Sequence, residues 1–155
     1  MLNPYEIGSD LVANAVAAHT LFHSNCVVVD FGTALTFTTI SEKGKILGVA
    51  IAPGLKTAIR ALSQNTAKLF DVPLVMPQSA LGKNTVHAIQ AGILLGYEGL
   101  VKSMVERISL ELNDPNLASV ATGGLASIIT PQSGTFTTIE PNLTLDGLRL
   151  VAEFS

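Results

Sequence analysis

The residues best suited to chemistry in this sequence surround an aspartate that ends an apolar run. Asp30 follows three consecutive valines, and Gly32 and Thr33 come after it, before a second β-branched stretch begins at Leu35. A carboxylate at the end of a buried strand is unfavourable unless a cation or hydrogen-bond donors meet it. The backbone N–H groups and the hydroxyl of the following turn suit phosphate oxygens or a metal ion. The segment therefore predicts either a nucleotide and cation site or a capped turn in a core hairpin.

A second carboxylate, Asp10, stands directly before an alanine-rich helical pattern at 11–22. Aspartate in this position accepts hydrogen bonds from the first backbone N–H groups of a helix, so Asp10 is predicted as its N-cap. The same carboxylate, at a helix terminus, could also serve as a general base.

Two glycines, Gly123 and Gly124, lie between a short strand pattern and a helical pattern. Glycines at such a junction let a flat ligand approach the backbone, and the helix N-terminus favours negative charge. This pattern predicts either an adenosine site or a tight strand-to-helix turn. The stretch at 82–85 also opens a helix but is too short for a phosphate loop of the Walker type, so Asn84 or Thr85 is predicted as a cap.

The elements that would position these residues follow from hydrophobic periodicity and turn signals. In chain order they are a helix at 11–22, strands at 27–31, 35–41 and 45–52, helices at 53–62 and 84–112, a strand at 117–121, a helix at 125–129, a strand at 135–139 and a helix at 143–153. Three antiparallel strands followed by alternating helices and strands match an α/β, ribonuclease H-like (actin-like ATPase) domain with a mixed sheet. A doubly wound nucleotide-binding domain would instead begin β-α-β, with a glycine fingerprint after its first strand.

The long helix has one predicted apolar face, made by residues at three- and four-residue steps. These are Ile89, Ile93, Tyr97, Leu100, Met104, Ile108 and Leu112. Three glycines, Gly92, Gly96 and Gly99, interrupt it, although glycine is less favourable than alanine inside a helix by ~1 kcal/mol. They predict either close helix packing, across a dimer interface for example, or a break in the helix.

Composition limits the classes of function. A chain of 155 residues that is 48% hydrophobic fits one domain, spanning 1–155, with a sizeable core. The net charge of -3 and the lack of a basic cluster argue against nucleic acid and against an anionic membrane surface as partners. No apolar run approaches ~20 residues, and no signal peptide pattern is present. The single cysteine, Cys26, is predicted as a small core residue in a reducing compartment.

Over nearly its whole length the chain resembles the type III pantothenate kinases, also described as Bvg accessory factor-like proteins, and within them the C-terminal domain. Each matching segment is short, but together, in the family's order, they are highly specific. They are NPYEIGSD at 3–10, NAVAA at 14–18, VDFGTA at 29–34, IAPG at 51–54, TAKL at 66–69, GKNT at 82–85, QAG at 90–92, GY at 96–97, TGGLA at 122–126 and LTLDGL at 143–148.

The resemblance implies ATP-dependent phosphorylation of pantothenate to 4′-phosphopantothenate, the first step towards coenzyme A. The implied enzyme is a cytoplasmic homodimer of two-domain, actin-like subunits that uses ATP, Mg²⁺ and a monovalent cation, K⁺ or NH₄⁺. The implied roles are Asp10 as proton acceptor, Gly8, Ser9, Asp10, Leu11 and Thr85 in pantothenate binding, Asp30 as cation ligand, and Thr33 as an ATP contact. The turn residues Gly32, Gly123 and Gly124 are predicted to complete the ATP site.

Two departures from the family's pattern bear on this function. The position after the catalytic aspartate is usually arginine, which suits the substrate carboxylate through a forked, charge-assisted contact, whereas here it is Leu11. The family also has a preceding domain that opens with an Asp-x-Gly-Asn-Thr phosphate loop, which this sequence lacks. We therefore expect an incomplete part of the enzyme that needs that domain in cis or in trans. The alternative is a non-catalytic nucleotide-binding or dimerisation module of the same fold.

Overall fold

Apolar and β-branched residues form the strands of a five-stranded sheet that helices cover on both faces. The computed structural model describes residues 8–64 and 71–153, apart from the side chains of 131–133, so the family-like segments at 3–7 and 66–69 lie outside the described residues. The strands are β1 (Cys26–Phe31), β2 (Ala34–Ile40), β3 (Ile46–Pro53), β4 (Ala118–Thr122) and β5 (Thr138–Ile139). The helices are α1 (Ser9–Phe22), α2 (Leu55–Gln64), α3 (Thr85–Gln90), α4 (Gly96–Glu111), α5 (Ala126–Ser133) and α6 (Leu143–Glu153), with a π-helical turn (Ala91–Leu95) between α3 and α4.

The strand order in the sheet is β3-β2-β1-β4-β5. The first three strands pair antiparallel, and β4 and β5 continue from β1 in parallel. This is the mixed sheet predicted from the sequence, with boundaries displaced by about one residue for most strands. The last strand is shorter than predicted: the stretch at 135–139 pairs with β4 only at Thr138–Ile139.

Alternation along β1 divides the core into two layers, because successive side chains of a strand point to opposite faces of the sheet. Val27, Val29 and Phe31 pack on one face with residues of α4 and α5, while Cys26 and Val28 pack on the other face with α1 and α6. The same alternation places Asp30 on the face that α1 and α6 cover. The end of β1 that carries Asp30 therefore lies beneath α1 and α6.

The long helix is continuous but contains the π-helical turn, which includes Gly92. Its residues most deeply buried in the core are Leu94, Val101 and Val105, one row away from the predicted apolar face, whose members are only partly buried. An apolar face wider than 100° spans both rows, and packing against the sheet decides which one is innermost. Asn84 caps the helix as predicted, since its Oδ1 accepts a hydrogen bond of 2.9 Å from the His87 N–H.

The helices in the described part of the chain include none with the length and apolar character needed to cross a membrane.

The burial of Cys26 yields a direct test of the fold. Its side chain is fully buried, and loss of hydration raises the pKa of the thiol to about 11. At pH 8 the thiol therefore stays protonated in the folded chain, whereas an unfolded cysteine, with a pKa of ~8.5, is partly thiolate. We expect alkylation by iodoacetamide to be at least about 100-fold slower in the native chain than in denaturant, as followed by mass spectrometry. Equal rates in the two states would contradict the placement of Cys26.

Candidate functional site

The carboxylate of Asp30 lies at the end of β1 and is held by a fully buried amide. Asn14 Nδ2 donates a hydrogen bond of 3.0 Å to Asp30 Oδ2, and Asn14 Oδ1 accepts one of 2.7 Å from Thr144 Oγ1. These two bonds connect β1, α1 and α6. Sequence reasoning assigned no role to Asn14 or Thr144, although a buried amide in an otherwise alanine-rich helix was a detectable signal.

Asp10 lies in the first turn of α1 and is not its N-cap. The N-cap is Gly8, whose carbonyl accepts bonds from the Leu11 and Val12 N–H groups, and no side chain of the described residues caps this helix. The predicted capping role of Asp10 is therefore wrong. Because Asp10 precedes Asn14 by four residues, the two side chains share one face of α1. The carboxylate is thus left available for another function.

Asp10 and Asp30 interact electrostatically at the same edge of the sheet. Partial burial is the main reason that the pKa of Asp30 is raised, the Asn14 hydrogen bond opposes the rise, and the negative charge of Asp10 adds to it. Like charges disfavour one another's ionised form when they lie close together. The structure therefore brings two predicted site residues, 20 positions apart in the sequence, into one electrostatic environment.

Gly123 allows β4 to approach Asp30. Its backbone φ angle is +93°, a value that residues other than glycine rarely adopt. A Cβ at this position would also collide with Asp30 Oδ1 and the Phe31 backbone. Next to it, Thr122 is the register partner of Asp30 in the parallel β1–β4 pair. The Thr122 hydroxyl is buried and has no hydrogen-bond partner among the described residues. An unpaired hydroxyl therefore accompanies the carboxylate at this strand end.

The donors around Asp30 fit a hard cation. A carboxylate and a hydroxyl are oxygen ligands, which suit alkali and alkaline-earth cations better than soft transition metals. An unsatisfied buried hydroxyl such as that of Thr122 would gain a partner from such an ion. No group of three His, Cys, Asp or Glu side chains in residues 8–64 and 71–153 could hold a metal ion, so a cation beside Asp30 would also need oxygen ligands of other kinds.

The Gly32–Thr33 turn is braced by the junction between β3 and α2. The Thr33 carbonyl accepts bonds from the Gly54 N–H (3.1 Å) and from Thr57 Oγ1 (3.2 Å). A Cβ at Gly54 would collide with the Gly32 and Thr33 carbonyls, so this close approach requires glycine. The Tyr97 hydroxyl donates a 2.7 Å bond to the preceding carbonyl, that of Pro53. The turn is thus held directly by the β3–α2 junction and by α2, and indirectly by α4 through Tyr97.

A cleft of about 410 Å³ opens beside this turn. It contains three predicted site residues, Gly32, Thr33 and Gly124, but also two cations that sequence reasoning did not single out. Its lining residues are Phe31, Gly32, Thr33, Lys56, Thr57, Arg60, Gly124 and Leu125. Lys56 and Arg60 belong to none of the motifs found in the sequence, and only the fold shows that they border this cleft.

The other predicted residues lie in two places. Gly8 and Ser9 are exposed at the start of α1, and Leu11 is partly buried there, close in sequence to Asp10. Thr85 is exposed as the first residue of α3, and its neighbours Lys83 and His87 line a different cleft. No interaction that the structure describes joins Thr85 to Asp10. The described chain thus assembles all of the predicted residues except Thr85 at or near one edge of the sheet.

A mixed sheet of this order, with an acidic strand end, a glycine-threonine turn and a double-glycine junction at one edge, defines an actin-like ATPase fold. A solved protein from Campylobacter jejuni, described as a conserved Baf family transcriptional activator, matches with a TM-score of 0.70 at 22% identity, over 99% of this chain and 67% of that one. The PilM-PilN type IV pilus biogenesis complex matches with a TM-score of 0.54 at 16% identity, over 89% and 42%. At these identities the two matches show the fold alone.

Sequence comparison identifies the family. The family model for type III pantothenate kinase matches residues 1–107. The type III pantothenate kinase of Dehalococcoides mccartyi (strain CBDB1) is 45% identical over all 155 residues, and that of Roseiflexus sp. (strain RS-1) is 46% identical over 152 residues, 98% of this chain. The chain belongs to the type III pantothenate kinase family, and it spans 59% of the length of both of these relatives.

The buried amide of Asn14 yields a stability prediction. Asn14→Ala removes the donor to Asp30 and the acceptor of Thr144. The Asp30 carboxylate and the Thr144 hydroxyl then lose these hydrogen bonds and must bind water or stay unpaired. We expect a loss of about 1–3 kcal/mol in the free energy of unfolding, measured by urea denaturation. Thr20→Ala is the matched control, because it removes a hydrogen bond to the Val16 carbonyl from the exposed side of the same helix and should change stability little. Similar effects of the two substitutions would contradict the role given to Asn14.

Proposed function

We propose that this chain carries the catalytic carboxylate and one wall of the nucleotide cleft of an enzyme that phosphorylates pantothenate with ATP. The observation that carries the proposal is the shared environment of Asp10 and Asp30 beside a cleft lined by Gly32, Thr33 and Gly124. In a family of pantothenate kinases, this geometry supports 4′-phosphopantothenate as the product, on the way to coenzyme A. A cytoplasmic location belongs to the same proposal.

In the proposed reaction the hydroxyl oxygen of pantothenate forms a bond to the γ-phosphorus of ATP. The bond from that phosphorus to the β–γ bridging oxygen breaks, and ADP leaves with that oxygen. Asp10 accepts the hydroxyl proton, a role that its exposed carboxylate in the first turn of α1 supports. Phosphoryl transfer depends chiefly on positioning and on charge stabilisation, so one base and well-placed donors suffice on this side of the cleft.

The proposal extends to the other residues around this cleft. Asp30, with the Thr122 hydroxyl, would hold a monovalent cation, K⁺ or NH₄⁺, whose charge would offset negative charge near the phosphates. The Gly32–Thr33 turn and the Gly123–Gly124 junction would contact ATP, which would enter as its Mg²⁺ complex. No step of the proton transfer passes through these ions.

Pantothenate would lie against the start of α1, where Gly8, Ser9 and Leu11 flank the base. Leu11 cannot pair with the substrate carboxylate as an arginine would. Thr85, at the start of α3, would contact pantothenate from a surface that no interaction among the described residues joins to Asp10, and a homodimer offers one way to complete such a site. The rest of the relatives' length would supply a phosphate-loop domain in cis or in trans.

Leu11 favours a second candidate, a nucleotide-binding or dimerisation module without catalytic activity. In that case the cleft would bind ATP but no proton would be abstracted. An assay for pantothenate- and ATP-dependent phosphorylation, with and without an added phosphate-loop domain, separates the two functions. Activity that requires both domains supports the enzyme, and ATP binding without turnover under any condition supports the module.

The role of Asp10 is tested by Asp10→Asn in the complete two-domain protein. Since Asp10 caps no helix, the substitution removes a base without removing a structural contact of the described chain. We expect turnover to fall by roughly 10²–10⁴-fold, the usual range for a lost general base, with little change in melting temperature.

Asp146→Asn is the matched control for this test, because Asp146 is an exposed acid in the first turn of α6. It should leave turnover unchanged. Near-normal turnover in Asp10→Asn would show that Asp10 is not the base.

A homodimer through the long helix is the second part of the proposal. Gly92, Gly96 and Gly99 are exposed, and beyond the helix's own backbone a Cβ built at each would meet no atom of the described residues within 4 Å, so close packing within the described structure does not explain them. A second copy packed on this face would explain them, because glycines let two backbones approach closely.

We expect a dimer by light scattering at micromolar concentration. Gly96→Glu should shift the chain towards monomer, because it places a bulky charge on the proposed contact. Glu153→Gln, an exposed change at the end of α6 on the opposite face of the sheet, should have no effect on assembly. A monomer for the unsubstituted chain, or a dimer indifferent to Gly96→Glu, would contradict this interface.

A further inference from the structure

Two cations on α2 border the cleft in positions that are unfavourable without an anion nearby. Lys56 is the second residue of α2, and Arg60 follows one turn later on the same face. A cation near the N-terminal end of a helix opposes the helix macrodipole. Like charges four residues apart on a helix also repel each other. Lys56 therefore meets two unfavourable interactions at once.

Within the described structure, no acidic side chain shares α2 or the lining of this cleft with the pair. Both side chains are exposed and therefore accessible to a ligand. A local arrangement that conflicts with general stability rules, without a compensating contact in the fold, is typical of a binding site.

The opposite walls of the cleft add to its positive character. Gly124 and Leu125 stand at the start of α5, whose N-terminal end carries the positive pole of the helix dipole. The Gly32–Thr33 turn forms a third side and is held in place through the Thr33 carbonyl. The volume of about 410 Å³ lies within the range of small-molecule sites. A polyanionic ligand would thus meet favourable charge from two helices.

We infer that Lys56 and Arg60 bind the phosphate chain of the nucleotide. The inference rests on the proposed function, in which this cleft takes ATP, and it names the side chains of this chain that hold its anionic part. Arg60 offers a fork of N–H donors that matches phosphate oxygens, and Lys56 offers a compact point charge. In this inference the two residues do not contribute to binding of the uncharged nucleoside part.

The test compares the binding of ATP, adenosine and inorganic tripolyphosphate to the 155-residue chain by titration calorimetry at low ionic strength. Lys56→Gln and Arg60→Gln should each weaken the binding of ATP and of tripolyphosphate on the order of tenfold, and the double variant on the order of 100-fold. Adenosine affinity should not change. Lys43→Gln is the control, because this exposed lysine lies in the turn at the other end of β2 from Thr33 and should alter no affinity.

Several results would overturn the inference. Tripolyphosphate that does not bind the unsubstituted chain, or that binds all variants equally, would show that the cleft is no phosphate site. An equal loss of adenosine affinity would show that the two residues contact the nucleoside instead.

Failure of the proposed function has a different signature. If the two-domain protein does not phosphorylate pantothenate while ATP binding still depends on Lys56 and Arg60, the function is wrong and the phosphate site stands. If turnover is normal and the KM for ATP is unchanged in the double variant, the function stands and the phosphate site is wrong.

Discussion

The half-buried carboxylate of Asp30 is the constraint around which this fold is arranged. A carboxylate in that position needs hydrogen-bond donors, and a fully buried amide, Asn14, supplies one while Thr144 holds the amide in turn. These bonds fix the rotation of α1 over the sheet, because a shift of one residue would turn Asn14 by about 100° away from β1. The same rotation sets the direction in which Asp10 faces. Gly123 completes the arrangement, because any side chain there would displace the carboxylate.

Several interactions that disfavour the folded chain lie near this edge of the sheet. The charge of Asp10 disfavours the ionised form of Asp30, the Thr122 hydroxyl is buried without a partner in the described structure, and two cations share one face of α2. Each would be relieved by a ligand of suitable charge: a cation beside Asp30 and an anion beside Lys56 and Arg60. Such conflicts are expected where a protein keeps groups ready for binding at the expense of stability.

The long helix contributes to the cleft as well as to the core. Leu94 and Val101 bury its inner face against the sheet, and Tyr97, between them, donates a hydrogen bond to the Pro53 carbonyl. That bond anchors the junction from which Gly54 supports the Thr33 carbonyl. The π-helical turn lies just before Tyr97, and such turns are frequent near functional sites. Packing of the core and positioning of the cleft therefore depend on the same helix.

Sequence alone determined the order of the elements, the hairpin after Asp30 and the double-glycine junction, because strand alternation, turn residues and glycine pairs act over a few neighbouring positions. It could not determine which groups meet. The capping role predicted for Asp10 was wrong because the chain before a helix, and not the residue type alone, decides which residue becomes the N-cap. The innermost residues of the long helix lie one row away from the predicted apolar face, because only packing against the sheet decides which apolar row is buried most deeply. Asn14, which supports Asp30, is itself held by Thr144, 130 positions further along the chain. The cations of α2 come to lie beside the Gly32–Thr33 turn only after β3 has paired with β2. Contacts of that separation exist only once the sheet has formed, and so the tertiary structure decided them.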